Sequence, residues 1–193
     1  MAEMVRVLPH GRELPGYQVA SAGEHRPEKG PEPPSHANCS HIDDALAPRE
    51  KAFPPSTEVL LTGPGDSRTR GRVLSFAFSQ DEAKRVMDRI RAALPKCAHY
   101  NLWWADLYTR HGLKASQSPY NAGDEAISYQ RLDPPAEDED VGGSPVTFDP
   151  GPLQEDGPTI TFIRTAGVIT QYRDPLPESV ARAFDRRFRR AGS

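Results

Sequence analysis

The residues best suited to chemistry in this chain are two cysteines, each followed two positions later by a histidine: Cys39-Ser40-His41 and Cys97-Ala98-His99. Three states fit them. Oxidation joins Cys39 to Cys97 in a disulfide, which on the chain-entropy account stabilises the fold by roughly 4 kcal/mol. Two thiolates with two imidazoles also form a legitimate tetrahedral zinc set. Positions i and i+2 point to different sides of a helix, however, and the usual C-x₂₋₄-C spacing is missing. Buried thiols are the third state. The disulfide is the expected one, and because disulfides persist in oxidising compartments it predicts an exported protein. Nothing places a cationic partner beside either thiolate, so a catalytic cysteine is the weakest reading.

The other chemical patterns are weaker. Gly63-Pro64-Gly65-Asp66 with Arg68 and Arg70 resembles a phosphate loop only superficially. It lacks the G-x-x-x-x-G-K-[ST] order and leads into a strand, where no helix N-terminus can supply donors. Gly142-Gly143-Ser144-Pro145 has no identifiable base, and no G-x-S-x-G nucleophile elbow occurs. Asn38-Cys39-Ser40 matches a glycosylation sequon formally, but a cysteine destined for a bridge stands in its middle. Trp103-Trp104 lies in a strand-like run, where neighbours face opposite sides. Either both indoles are buried, one beneath the helices and one under a loop, or one enters the core and the other joins Tyr100, Tyr108 or Tyr129 in an aromatic wall.

These residues need elements to position them. The clearest helix is expected over 79–94, capped by Ser79 with Glu82 at N3 and Phe78 and Ala83 as a hydrophobic staple. Ala83, Val86, Met87, Ile90 and Leu94 share one face, and Pro95 stops the helix. A second helix spans 177–190 with Val180, Ala183, Phe184 and Phe188 inward, and a short one is expected over 39–46. Strands are expected at 58–62, 73–78, 102–108, 126–132, 159–164 and 168–172, the last two forming a hairpin about Thr165-Ala166-Gly167. Segments 22–37 and 133–157 read as flexible loops, the second acidic, with Val146 and Phe148 alternating in it as a short edge strand. Strands and helices do not alternate as in a parallel array. The expected fold is therefore α+β: one domain over 1–193, an antiparallel sheet with helices on one face, and one disulfide.

Composition sets the bounds. The chain has 193 residues with 20 prolines and 15 glycines, so its core is diluted by proline-rich stretches. A formal charge of −3 lacks the basic footprint of a nucleic-acid protein. No apolar run approaches the ~18 residues that span a bilayer. The opening MAEMVRVLPHG is not a signal peptide, which read literally means a cytoplasmic protein. The alternative is a trimmed mature form.

Leu14-Pro15-Gly16-Tyr17, Cys39, the run FAFSQDEAKRVMDRIRAALPKC ending at Cys97, Gly123-Asp124-Glu125-Ala126 leading into a strand, and the late TITFIRTAGVITQY together resemble the PknH-like extracellular sensor domain family. That family occurs in actinobacteria on receptor Ser/Thr kinases and as free-standing secreted lipoproteins. The resemblance implies an antiparallel sheet flanked by helices, a ligand-receiving cleft, and no catalysis. Its kinase-linked members carry two disulfides, whereas this sequence has cysteines for one. A leader and lipid anchor are expected to be absent from this chain because they were trimmed.

The sequence reading is therefore a non-enzymatic extracytoplasmic binding or sensor module without a metal or cofactor. Its expected partner is a small molecule or envelope component, or a membrane signalling protein, and not nucleic acid. Trp104, Tyr129 and Arg164 are the expected cleft residues. The alternative is a cytoplasmic accessory protein or small enzyme with reduced thiols.

Overall fold

The computed structural model describes residues 2–25, 42, 54–63, 70–104, 107–133, 153–155, 157–173 and 176–191. The chain enters through helix α1 (Ala2–Arg6) and strands β1 (Gln18–Glu24), β2 (Ser56–Thr62) and β3 (Arg70–Ala77). Helix α2 (Gln80–Ala93) and a 3₁₀ turn (Leu94–Cys97) lead to β4 (Tyr100–Trp104), β5 (Leu107–Ser116) and β6 (Glu125–Leu132). Strands β7 (Thr159–Thr165) and β8 (Val168–Arg173) precede helix α3 (Glu178–Ala191).

The strands form one antiparallel sheet in the order β1-β2-β3-β8-β7-β6-β5-β4. It consists of two meanders, β1–β3 and β4–β8, zipped together by the β3–β8 pairing from Arg72↔Arg173 to Ala77↔Val168. Helix α2 carries the chain from the middle of the sheet to its far edge. It begins as its sequence dictates: the Ser79 hydroxyl accepts the Glu82 N–H at 3.2 Å, and Pro95 converts the last turn to 3₁₀. The Glu82 carboxylate binds Arg85 and Arg89. Those two guanidinium groups hold its carboxyl below the usual range.

The expectation of helices on one face is overturned. Ala83, Val86, Met87 and Ile90 of α2 pack with Leu74, Phe76, Ile127, Ile160 and Phe162 on one side of the sheet. Val180, Phe184 and Phe188 of α3 pack with Leu8, Val59, Val73, Ile163 and Tyr172 on the other. The cause lies in the central strands. Four consecutive residues are buried in β7 (Ile160–Ile163) and four in β8 (Ile169–Tyr172), so both faces need covering. Two helices on opposite sides supply the cover, and the molecule has three layers. Burial raises the pKa of Tyr172 well above 10, its ring wedged between Tyr120 and Phe184 with centroids at 5.2 and 6.2 Å.

The expected disulfide is also overturned: no disulfide occurs among the described residues. Cys97 is a thiol with 0% exposure, packed beneath α2 at the end of the 3₁₀ turn, while Cys39 lies outside the described residues. His99 is exposed where Cys97 is buried, so that C-x-H pair points apart. Of the helix expected over 39–46 only Ile42 is described, buried against the α2 core. Val146 and Phe148 lie outside the described residues.

Two boundaries differ for physical reasons. Residues 22–24, read as loop, belong to edge strand β1, whose small and polar side chains carry no apolar alternation. The strand expected over 102–108 is the join of two strands: Trp104 pairs with Leu107, so the chain reverses between β4 and β5. Strand β5 then serves two neighbours, β4 through Leu107–His111 and β6 through Gly112–Ser116.

Candidate functional site

At one end of the sheet the β7–β8 hairpin turns through Ala166 and Gly167. Ala166 takes the left-handed conformation with φ 51°, which for a residue with a Cβ costs about 1 kcal/mol. The turn is held from two directions. The Asp124 carboxylate accepts the Ala166 N–H at 2.8 Å, and the Gly167 carbonyl accepts the Phe78 N–H at 2.8 Å. A Cβ at position 167 would collide with the Phe78 carbonyl oxygen, so glycine is required there for close approach rather than for its φ. The hairpin tip is thereby stitched to the junction of β3 and α2.

This junction, the tip, α1 and the end of α3 line an open cavity of about 420 Å³. Its walls are Met4 and Val7, Ala77 to Gln80, Thr165 to Val168, and Phe188 with Ala191. The volume lies within the roughly 300–1,000 Å³ of small-molecule sites.

A chain of charges wraps the same end of the sheet and joins its two faces. Arg91 of α2 pairs with Glu125, Glu125 with Arg164 at 3.2 Å, and Arg164 with Asp124 at 3.2 Å. Asp124 then meets Arg189 of α3 at 2.8 Å, and Arg189 reaches Asp185. Asp185 accepts the Thr165 hydroxyl at 2.8 Å, which returns the chain to the cavity wall. Burial pulls the Asp124 carboxyl upward, but the Ala166 N–H and the Arg189 and Arg164 guanidinium groups outweigh it and hold the carboxyl below the usual range.

A second polar cluster sits on β5 and β6. His111 Nδ1 lies 2.9 Å from Asp133, Arg131 grips both carboxylate oxygens of Asp133 at 2.7 and 2.8 Å, and Tyr100 stacks on the imidazole with centroids at 5.8 Å. Asp133 and Gln154 exchange backbone hydrogen bonds, so the cluster fastens both ends of the acidic segment. Desolvation raises the Asp133 carboxyl, yet the Arg131 and His111 bonds prevail and lower it.

The expected cleft residues do not converge. Trp104 ends β4, and its side chain is outside the description. Tyr129 is 4% exposed and packs on Phe162 under α2, a core position. Arg164 lies on the same face as Tyr129, opposite to Ile163. It is four residues from the Tyr129 partner Ile160, about 13 Å along the strand, and its guanidinium serves the charge chain beside the cavity. Sequence reasoning missed the cavity itself. Its parts were visible singly, as a staple residue (Phe78), a hairpin turn (Thr165-Ala166-Gly167) and an inward helix residue (Phe188), but nothing marked their meeting. His111 and Asp133 carried no spacing signal, being joined only by strand pairing.

No family model matches the chain, and no curated protein matches it. Among solved structures it is similar to the extracellular domain of PknH from Mycobacterium tuberculosis, with a TM-score of 0.54 and 10% sequence identity over 92% of this chain and 86% of that one. The likeness is one of fold alone.

Proposed function

We propose that this chain is a non-enzymatic, extracytoplasmic binding module of the sensor kind, which takes a small molecule or envelope component in the cavity at the hairpin end. The observation that carries the reading is that cavity, built where α1, the β3–α2 junction, the β7–β8 tip and α3 meet and bordered by a charge chain reaching both helical layers. An occupant touching Thr165 and Ala166 lies one hydrogen bond from Asp185 and Asp124. Occupancy is thereby felt on both faces of the sheet, as signalling to a membrane partner requires. The fold likeness to an extracellular domain supports the compartment, which no longer leans on a disulfide. Lipid anchoring belongs to the same proposal.

A second reading, a small enzyme, has one observation in its favour: the His111–Asp133 pair, in which a carboxylate orients an imidazole as in general-base catalysis. Native mass spectrometry of the protein purified from its source organism separates the two. The binding reading expects a retained small molecule that is lost or weakened in Ala191→Trp, which intrudes on the cavity, and kept in His111→Ala. Retention that depends on His111 and not on position 191 favours the second reading.

A further inference from the structure

We infer that the cavity receives an uncharged aliphatic chain, the tail of an amphiphile whose polar head stays at the mouth. This rests on the binding reading above and names its ligand class. The side chains of Met4, Val7, Phe78, Val168, Phe188 and Ala191 make the apolar wall, and among the described residues no charged side chain lines it.

Of the polar wall side chains, Thr165 and Ser79 already hold bonds within the protein, while the Gln80 amide is exposed and meets the polar head. The Thr165 hydroxyl donates to Asp185, and the Ser79 hydroxyl accepts from the Glu82 N–H. The Ala166 N–H is bound by Asp124, and the Gly167 carbonyl by the Phe78 N–H. A polar ligand entering here gives up water and finds those groups occupied, an exchange that costs free energy. A charged one fares worse. The nearby guanidinium groups are matched inside the protein, Arg187 by Glu13 and Arg189 by Asp124 and Asp185. Apart from the Gln80 amide, the wall offers the tail mainly apolar contact, so affinity for the tail comes from methylene burial.

The test is calorimetric titration with 1-alkanols of about six to about twelve carbons, where each buried methylene raises affinity about fourfold. The expected result is that rise with chain length up to a plateau once the cavity is full. Carboxylates and ammonium ions of equal chain length bind no tighter than the alcohol. Ala191→Trp at the end of α3 brings the plateau to a shorter chain length, and Val168→Phe shifts it the same way from the strand side, guarding against a folding defect in either variant. Affinity independent of chain length, or charged heads outcompeting alcohols, overturns the ligand class. If a polar molecule is nevertheless retained from the source organism and displaced by Ala191→Trp, the binding reading stands and only the class fails. If the alkanols do not bind and nothing is retained, both fail.

Discussion

Replacing Asp124 by Asn tests whether the charge chain holds the hairpin tip. The native carboxylate takes the Ala166 N–H at 2.8 Å, Arg189 at 2.8 Å and Arg164 at 3.2 Å. Its side chain is 30% exposed and that of Arg189 is 47% exposed, so the Arg189 pair contributes no more than about 1 kcal/mol. A hydrogen bond to a charged acceptor contributes roughly 1.5 kcal/mol, part of which the Asn oxygen retains. The expected loss is about 1–2 kcal/mol, a fall in Tm of roughly 3–6 °C for a chain of this size. The pH dependence makes the test sharp. The folded carboxyl is held below its ordinary value of 3.8, so its contribution is present above that value and is lost as pH falls through the lower folded one. Thermal unfolding followed by circular dichroism at low salt should show the gap at about pH 7 and its shrinkage at about pH 3. A gap of equal size at both pH values, or none at neutral pH, refutes the electrostatic account of the turn.

Other outcomes follow from the same geometry. Ile90→Ala empties a site with 0% exposure beneath α2 and should cost about 2–5 kcal/mol in urea unfolding. Gly167→Ala drives a Cβ into the Phe78 carbonyl and strains the bond that stitches the tip to α2; a loss of about 2 kcal/mol is expected, with amide exchange at Phe78 accelerated. Asp133→Asn releases part of the Arg131 grip and the His111 bond. Its stability deficit, about 1–2 kcal/mol, should be present above the ordinary carboxylate pKa of 3.8 and vanish on acidification, because the native carboxyl is held lower.

The legible parts of the fold were those written in local sequence. The Ser79 cap, the α2 face of Ala83, Val86, Met87 and Ile90, the Pro95 stop and the β7–β8 hairpin appear where periodicity and turn chemistry put them. Layer count was not local. The alternation sought in strands gives way in β7 and β8 to continuous burial, and only sheet order reveals that these strands are central. Edge strand β1 left no signal because its QVASAGE side chains make little core. The reading of Cys39 and Cys97 as a bridge assumed that two cysteines on apolar faces must meet; burial of Cys97 explains its apolar setting without one. At the site, Arg164 stands in the charge chain beside the cavity and not in its wall. Tyr129 is packed in the core; in sequence, an aromatic on a strand looks alike whether a helix covers it or solvent does.

The most direct test of the binding account is a crystal structure of the protein purified from its source organism without refolding. The account predicts electron density for a retained molecule between Met4, Phe78, Val168 and Phe188, with the Ala166–Asp124 bond in place at the mouth. Density seated instead against His111 and Asp133, with side chains collapsed into the hairpin-end cavity, would contradict it.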